Sequence, residues 1–513
     1  KNEETIMAQR TQSGLLQKVK LPLFGAYSNR GTNPDKDQRF VNFFPESRKV
    51  EQTDQTRVAL VYRPGIKAYK KFASYGDVGR GVSYFNGKMY AAWGSKIYED
   101  NPFGGGGIPT SVITMSTSTG KVGFILGNSS TFGNYLFICD GVDGWYIDSA
   151  GAVTHVVDPD FPTPHIPTPI FLDGYICVAK GSDIYSCDLD TPSSWNASNF
   201  VSAESFPDAI VALARQNNQI VAFGSSSTEF FYDAANSSGS PFNRNESAII
   251  QTGCAANHVI YQNERYCAFI GQSDSGGRAV WFIEGFQPKK VSDEFIERII
   301  DSETDLANCS GYGVRVVGHM FYVINLKDAN RTFVYDVDEK LWHEWSSRIP
   351  NSEPTGTGTP PASTIGFFQY DHATDCDTGT AYLQHTNSGY MLYFDPSESN
   401  YVDEYNNLTP NKDTYGIEGI VRTNRYDMDT MNRKRLHSFR LFSDRQPTSG
   451  TAISMTYTDD DYQSNSSTIS IELTEDMPAC YQLGSFRRRA FTLTYEDNTP
   501  MRLEAIELCY TEG

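Results

Sequence analysis

No stretch of the chain reaches about 18 consecutive apolar residues, so there is no candidate for a membrane-spanning helix. The charged opening KNEETIMAQRTQ has no apolar core of the kind a signal peptide needs, and neither membrane insertion nor export is expected. Basic residues are scarce: 43 Lys and Arg stand against 62 Asp and Glu, for a formal charge of −19. Holding nucleic acid by counterion release takes Lys and Arg against phosphates, so this balance argues against a DNA-gripping protein. An acidic surface can serve solubility alone, or it can keep a passing duplex from sticking to the wall of a conduit. The nine cysteines form no CxxC pair and are too sparse for a disulfide scaffold. Scattered singly through apolar segments, as Cys139, Cys177, Cys187, Cys254 and Cys267 are, they read as reduced core residues.

Signatures of catalysis are missing too. The eight histidines, His155, His165, His258, His319, His343, His372, His385 and His437, show neither HExxH nor HxH spacing. There is no GxSxG elbow and no phosphate-binding GxxxxGK[ST] loop, and the glycine run at 104–107 has no Lys or helix after it. Two acidic clusters could hold calcium, Asp371, Asp375 and Asp377 in DHATDCDTG and Asp459, Asp460 and Asp461 in TDDDYQ. Neither has the alternating ligands and final Glu of an EF-hand, and both read as solvated turn acids. The segment SDSGGRAVW at 273–281 faintly resembles the Asp-box turn of sialidase-like propellers, but it occurs once and with different spacing. No catalytic, cofactor-binding or metal-binding residue is assigned.

What the chain has in quantity is aromatic side chains, 30 Tyr and 31 Phe, beside 42 Gly and 24 Pro. That mixture suits many short strands joined by tight turns and predicts an all-β fold. At 513 residues the chain exceeds the ~250–300 at which a single core stops growing, so several domains or a repeat are expected. A repeat is present. An apolar strand with a central aromatic or Ile, a turn, and an aromatic pair near an acid recurs seven times, as in GKMYAAWGSKIYED, GNYLFICDGVDGWYID and HMFYVINLKDANRTFVYD. The copies start at Tyr90, Tyr135, Tyr175, Ile220, Tyr266, Phe321 and Tyr382, with steps of 45, 40, 45, 46, 55 and 61 residues. These steps are close to the ~40–50 residues of a four-stranded propeller blade, and six or seven blades are predicted. A loosely periodic pair of β-sandwiches is the competing arrangement.

Residues 1–75 carry Gly, Pro and Asn turn signals and read as an arm with short strands, packing with a C-terminal domain. The propeller is expected over 76–404. Residues 405–513, with alternating runs such as TAISMTYTDDDYQ and MRLEAIELCY, predict a small antiparallel β-domain suited to assembly. One helix is expected, SDEFIERIIDS at 292–302, capped by Ser292. Two basic runs stand out in an acidic chain, NRKRLHSFR with Arg433, Lys434 and Arg435, and FRRRAF with Arg487, Arg488 and Arg489. They are candidates for pairing with an acidic face of a neighbouring subunit or another partner, the alternative being strand-flanking surface charge with no role.

Several strings are more specific than a propeller requires. The segment SAESFPDAIVALARQNNQIVAFGSSSTEFFYD at 202–233 resembles the packaged-DNA stabilisation proteins, the tail hub or nozzle family of short-tailed phages. The matching positions are Glu204, Pro207, Asp208, Gly224, Ser225, Ser226 and Glu229. The opening GAYSNRGTNPDKDQRFVNFFPE is similar to that family's arm through Val41, Asn42 and Pro45, and RPGIKAY to its Pro-Gly step. KKVSDEFIERII resembles its single helix, and RRRAFTLTYEDNTPMRLEAIEL its last β-domain, in the same order along the chain. The resemblance implies a non-enzymatic virion protein without cofactors, assembled in the host bacterial cytoplasm and located in the virion tail. It implies a homo-oligomer, a hexameric ring below the portal and its adaptor. The ring would retain packaged DNA, conduct it on ejection, and dock tailspikes or fibres and a needle or tip protein. In that family the matched residues shape turns and packing, with Glu229 suited to an ion pair. The 346–363 segment, SSRIPNSEPTGTGTPPAS, is longer than the family pattern. The competing function is a glycan-binding or glycan-cleaving propeller, which would need paired carboxylates and aromatics lining one pocket. A propeller scaffold with no phage connection is a third reading, and it predicts a monomer.

Overall fold

The computed structural model describes residues 16–23, 38–50, 55–104, 107–131, 133–236, 238–263, 265–272, 276–353, 361–397, 401–406 and 412–512. Outside the described residues lie most of the arm's opening, Gly105 and Gly106 of the glycine run, the turn at 273–275, and 354–360 of the long segment.

The chain is a β-propeller. Each of the seven sequence repeats supplies two middle strands of an antiparallel unit, four-stranded except for the fifth, whose first strand is split in two: Tyr90 lies in Lys88–Trp93, Tyr135 in Gly133–Cys139 and Phe321 in His319–Leu326. Six units are built from consecutive strands between Gly79 and Pro350. The seventh takes Tyr370–Asp375, Ala381–His385 and Tyr390–Asp395, and is completed from the other end of the chain by Gly65–Lys71. In that pairing Tyr390 lies opposite Lys71 and Asp395 opposite Gly65.

Period-two alternation places apolar side chains on both faces of each unit, and neighbouring units bury them against one another. Tyr135 and Phe137 of the second unit meet Ile176 and Val178 of the third, and Trp93 and Met89 of the first meet Tyr382 and Met391 of the seventh. That last cluster closes the ring, which a pair of sandwiches would not do. Burying each such large apolar side chain stabilises the fold by about 1.5–3 kcal/mol. The innermost strands crowd at the axis, and small residues let them approach: a Cβ on Gly123 would stand 2.3 Å from the ring of Pro169 in the next unit. The axis retains a cavity of about 280 Å³ lined from all seven units.

The N-terminal strands pair with strands from the end of the described residues. Gln17–Pro22 pairs with Arg502–Glu512, and the hairpin Phe43–Val50/Gln55–Tyr62 joins that sheet through Leu60 and Leu503. Arg39–Val41 runs parallel to Leu341–Pro350 of the sixth unit and antiparallel to Gly419–Arg422, making one ten-stranded sheet from propeller to C-terminal domain. Gly65–Lys71, ahead of the expected boundary at 75, thus belongs to a propeller sheet. Val402–Glu404 extends that same sheet beyond Gly65–Lys71. The C-terminal strands bury their own core, including Phe439, Phe491, Leu493 and Ile506. The helix runs Glu294–Ser302, and Asp293 rather than Ser292 is its cap, accepting from the amides of Phe295 and Ile296. The Ser292 hydroxyl instead accepts from the Val280 amide at 3.0 Å and donates to Glu297 at 2.9 Å. Of the long segment, Leu341–Pro350 and Ser363–Phe367 pair as a hairpin.

Candidate assembly interface

The distinctive motif at 204–229 folds into one clamp. Asp208, ahead of the strand Ile210–Gln216, turns its carboxylate onto the loop after Gln219–Gly224. It accepts from the amides of Ser226 at 2.8 Å and Ser227 at 3.1 Å and from the Ser227 hydroxyl at 3.0 Å. Glycine is required at 224 for this approach, since a Cβ there would lie 2.2 Å from Asp208 Oδ2. Five residues beyond Gly224, buried Glu229 accepts from the Ser205 amide at 3.0 Å and pairs with Arg244 at 3.4 Å. Its ion pair lies within one unit of the propeller. Glu204 and Pro207 are exposed at the edge of this clamp.

The VN-x-x-P element forms a second joint. Val41 and Pro45 are buried, and Asn42 sits with φ 56° in the left-handed region that Asn tolerates. The Asn42 side-chain amide donates to Ser346 Oγ and to the Glu418 carbonyl, each at 2.8 Å, and its oxygen accepts from Arg63 at 2.8 Å and the Ser346 amide at 3.0 Å. Arg63 is fully buried and makes a two-pronged contact with Asp403 at 2.9 and 2.6 Å, while also donating to the Ser346 carbonyl at 3.1 Å. Nearby, buried Glu344 is gripped by Arg39 and Arg331. Burial pushes its carboxyl up, but the two guanidinium groups outweigh that and hold it near 2. These residues tie the N-terminal segment, the sixth unit and the C-terminal region together.

The basic runs divide by burial. Arg433, Arg435, Arg487 and Arg488 are exposed, and Arg487 donates to the Met431 carbonyl at 2.7 Å. Arg435 lies opposite Ser485 across paired strands, so the two runs form one surface, with Met431 beside it 55% exposed. Among the described residues none of these four arginines pairs with an acid. Lys434 and Arg489 are corrected: both point inward and are unavailable to a partner. Lys434 donates to the carbonyls of Thr430, Asn432 and Arg487 at 2.6, 2.9 and 3.0 Å. Arg489 holds Asp459 through two contacts at 2.7 Å and stacks over Tyr457.

The acidic clusters are dispersed into separate contacts. Asp371 is buried against Lys327 at 3.0 Å, and Asp377 accepts from Tyr84 at 3.0 Å. Asp459 goes to Arg489, Asp460 accepts from the Gln463 and Ser464 amides, and Asp461 meets Arg425. His319, Asp336 and Asp338 bring potential ligand atoms within 4.8 Å of one another. They already pin a hairpin, however, with His319 at 2.8 Å from Asp336, whose other oxygen accepts from the amides of Asp338 and Glu339. A pocket of about 580 Å³ between the fifth and sixth units is lined by Tyr266, Phe282 and Tyr335 with Glu284 and Asp338.

Fold and site together define a β-propeller in which the most distinctive residues build turns and joints. A family model described as bacteriophage P22 Gp10, beta-propeller, matches residues 19–355, more than half of the chain, and the chain belongs to that family. The tail hub protein gp10 of Salmonella phage P22 is 27% identical over 303 residues, spanning 56% of this chain and 55% of that protein. The chain thus aligns with about half the length of the curated relative. Among solved structures, virginiamycin B lyase from Staphylococcus aureus superposes with a TM-score of 0.39 at 12% identity, covering 74% of this chain and 98% of the lyase. The computationally designed Ika8 protein gives 0.37 at 8% identity, covering 64% and 99%. Scores this low carry no functional inference.

Proposed function

We propose that the chain is a structural subunit of a phage tail hub and acts by assembly rather than catalysis. Membership of the P22 Gp10 propeller family supports this reading, and the observation that carries it is the exposed surface of Arg433, Arg435, Arg487 and Arg488 in a chain of charge −19. Four cations without internal acids suit an acidic face on a neighbour, and a ring repeats that contact at every interface. In this reading the subunits form a hexameric ring beneath the portal's adaptor, with residues 405–513 as its platform, and the ring retains packaged DNA, conducts it on ejection, and docks tailspikes or fibres and a needle. The net acidity of the subunits keeps the duplex from adhering as it passes. The subunit is made in the host cytoplasm and resides in the virion tail.

A glycan-binding propeller is the second reading, favoured by the aromatic and acidic lining of the pocket between the fifth and sixth units. Native mass spectrometry of the purified chain, alone and with portal–adaptor complexes, separates the two. A closed ring, or a monomer that forms a ring on the adaptor, supports the hub. A stable monomer that ignores the adaptor and binds host polysaccharide overturns it.

A further inference from the structure

The cavity on the propeller axis has chemistry that the tail-hub reading does not use. Lys121, just ahead of the strand Gly123–Ser129, and His372, in Tyr370–Asp375, both line it. The Lys121 ammonium donates to the Asn257 carbonyl at 3.0 Å, which brings it to the short 3-10 turn that carries His258. His258 Nδ1 is buried and has no hydrogen-bond partner among the described residues. Asp371, next to His372 in the chain, is already engaged: it accepts from Ser310 at 2.8 Å and from Lys327 at 3.0 Å.

Burial lowers the Lys121 ammonium to about 8, and among the described residues no carboxylate offsets it. Burial also depresses His258 to about 4 and His372 to about 3, with Lys121 adding to both. A half-buried ammonium without a counter-charge is costly. An occupant of the cavity relieves it: an anion with several acceptor oxygens, of a size that about 280 Å³ accommodates.

We propose that the axial cavity is a binding site for a small oxyanion of the phosphate or carboxylate class, held by Lys121 with His372 as a neighbouring donor. The site belongs to the single chain and needs no ring partner, so it stands or falls apart from the tail-hub reading.

Isothermal titration calorimetry on the whole chain, with inorganic phosphate and separately with citrate, tests it. One equivalent of at least one probe should bind. K121M should weaken that binding by about tenfold or more, as expected for loss of a charge-assisted contact. H372Q should weaken it to a lesser degree and carries the test should K121M fail to fold by circular dichroism. Binding of phosphate alone identifies a phosphate source, and binding of citrate alone a carboxylate. No binding of either probe to the unmodified chain overturns the proposal, as does unchanged affinity in both variants.

Discussion

Replacing Arg63 by Met tests whether the propeller and the C-terminal region are one cooperative unit. The side chain is fully buried, and its guanidinium makes two contacts with Asp403 and one each with Asn42 and the Ser346 carbonyl. Methionine keeps much of the volume and removes every donor, so Asp403, itself 7% exposed, is left as a buried carboxylate without its cation. Removing one partner of a buried pair costs about 3–5 kcal/mol, because the remaining charge is left uncompensated. Asp403→Leu should cost a similar amount for the opposite reason. The double variant should recover about 2–3 kcal/mol of the summed loss, since neither charge is then stranded. Urea unfolding followed by tryptophan fluorescence and by circular dichroism measures all four species. In R63M the two probes should also separate, as the C-terminal region uncouples from the ring. A loss below about 1 kcal/mol in R63M, or strict additivity in the double variant, would refute the argument that this joint holds the parts together.

Gly224→Ala should destabilise by about 2–4 kcal/mol, because the new methyl displaces Asp208 from the Ser226 and Ser227 amides, and thermal unfolding would show it. Charge reversal at Arg433, Arg435, Arg487 and Arg488 should leave the melting temperature of the isolated chain nearly unchanged while abolishing ring or adaptor assembly in light scattering. Met at Lys434 should instead cost stability, by about 2 kcal/mol or more, with three carbonyls left unpaired. Glu344 sets an acid limit. Its folded-state value near 2 lies below the usual 4.5, so its contribution of about 3 kcal/mol is present above pH 4.5 and is lost as pH falls toward 2. Urea titrations of the unmodified chain and E344Q at pH 7 and pH 3 should show a smaller pH-dependent loss in the variant.

The propeller was legible because its signal is local. Each repeat is a hairpin whose partners lie within about 20 residues, and period-two alternation with aromatic residues marks both strands. The seventh unit's last strand was not legible, since Gly65–Lys71 finds Tyr390–Asp395 only through the closed ring. The same holds for Arg63, which resembles any surface arginine beside a Pro-Gly step until Asp403 and Asn42 are brought against it. Lys434 is a different case. In the strand Lys434–Ser443 it shares a face with buried Leu436, so the alternation that predicts the strand also predicts that Lys434 turns inward and Arg435 outward. The motif positions were recognisable, but the reason Gly224 accompanies Asp208 lies in a contact across 16 residues that only the fold makes.

The pairing of early strands with late ones has a consequence for synthesis. Gly65–Lys71 leaves the ribosome early and its partner strand emerges more than 300 residues later, while Gln17–Pro22 waits for Arg502–Glu512. Until then these strands present open hydrogen-bonding edges, and loop closure over such separations is slow. Chains cut short before Tyr390 would keep an unfilled seventh unit and an unsealed ring, and would tend to aggregate rather than circulate as soluble decoys. The topology thus makes closure of the ring wait on strands more than 300 residues apart, and the edges they share are covered only once both have been made.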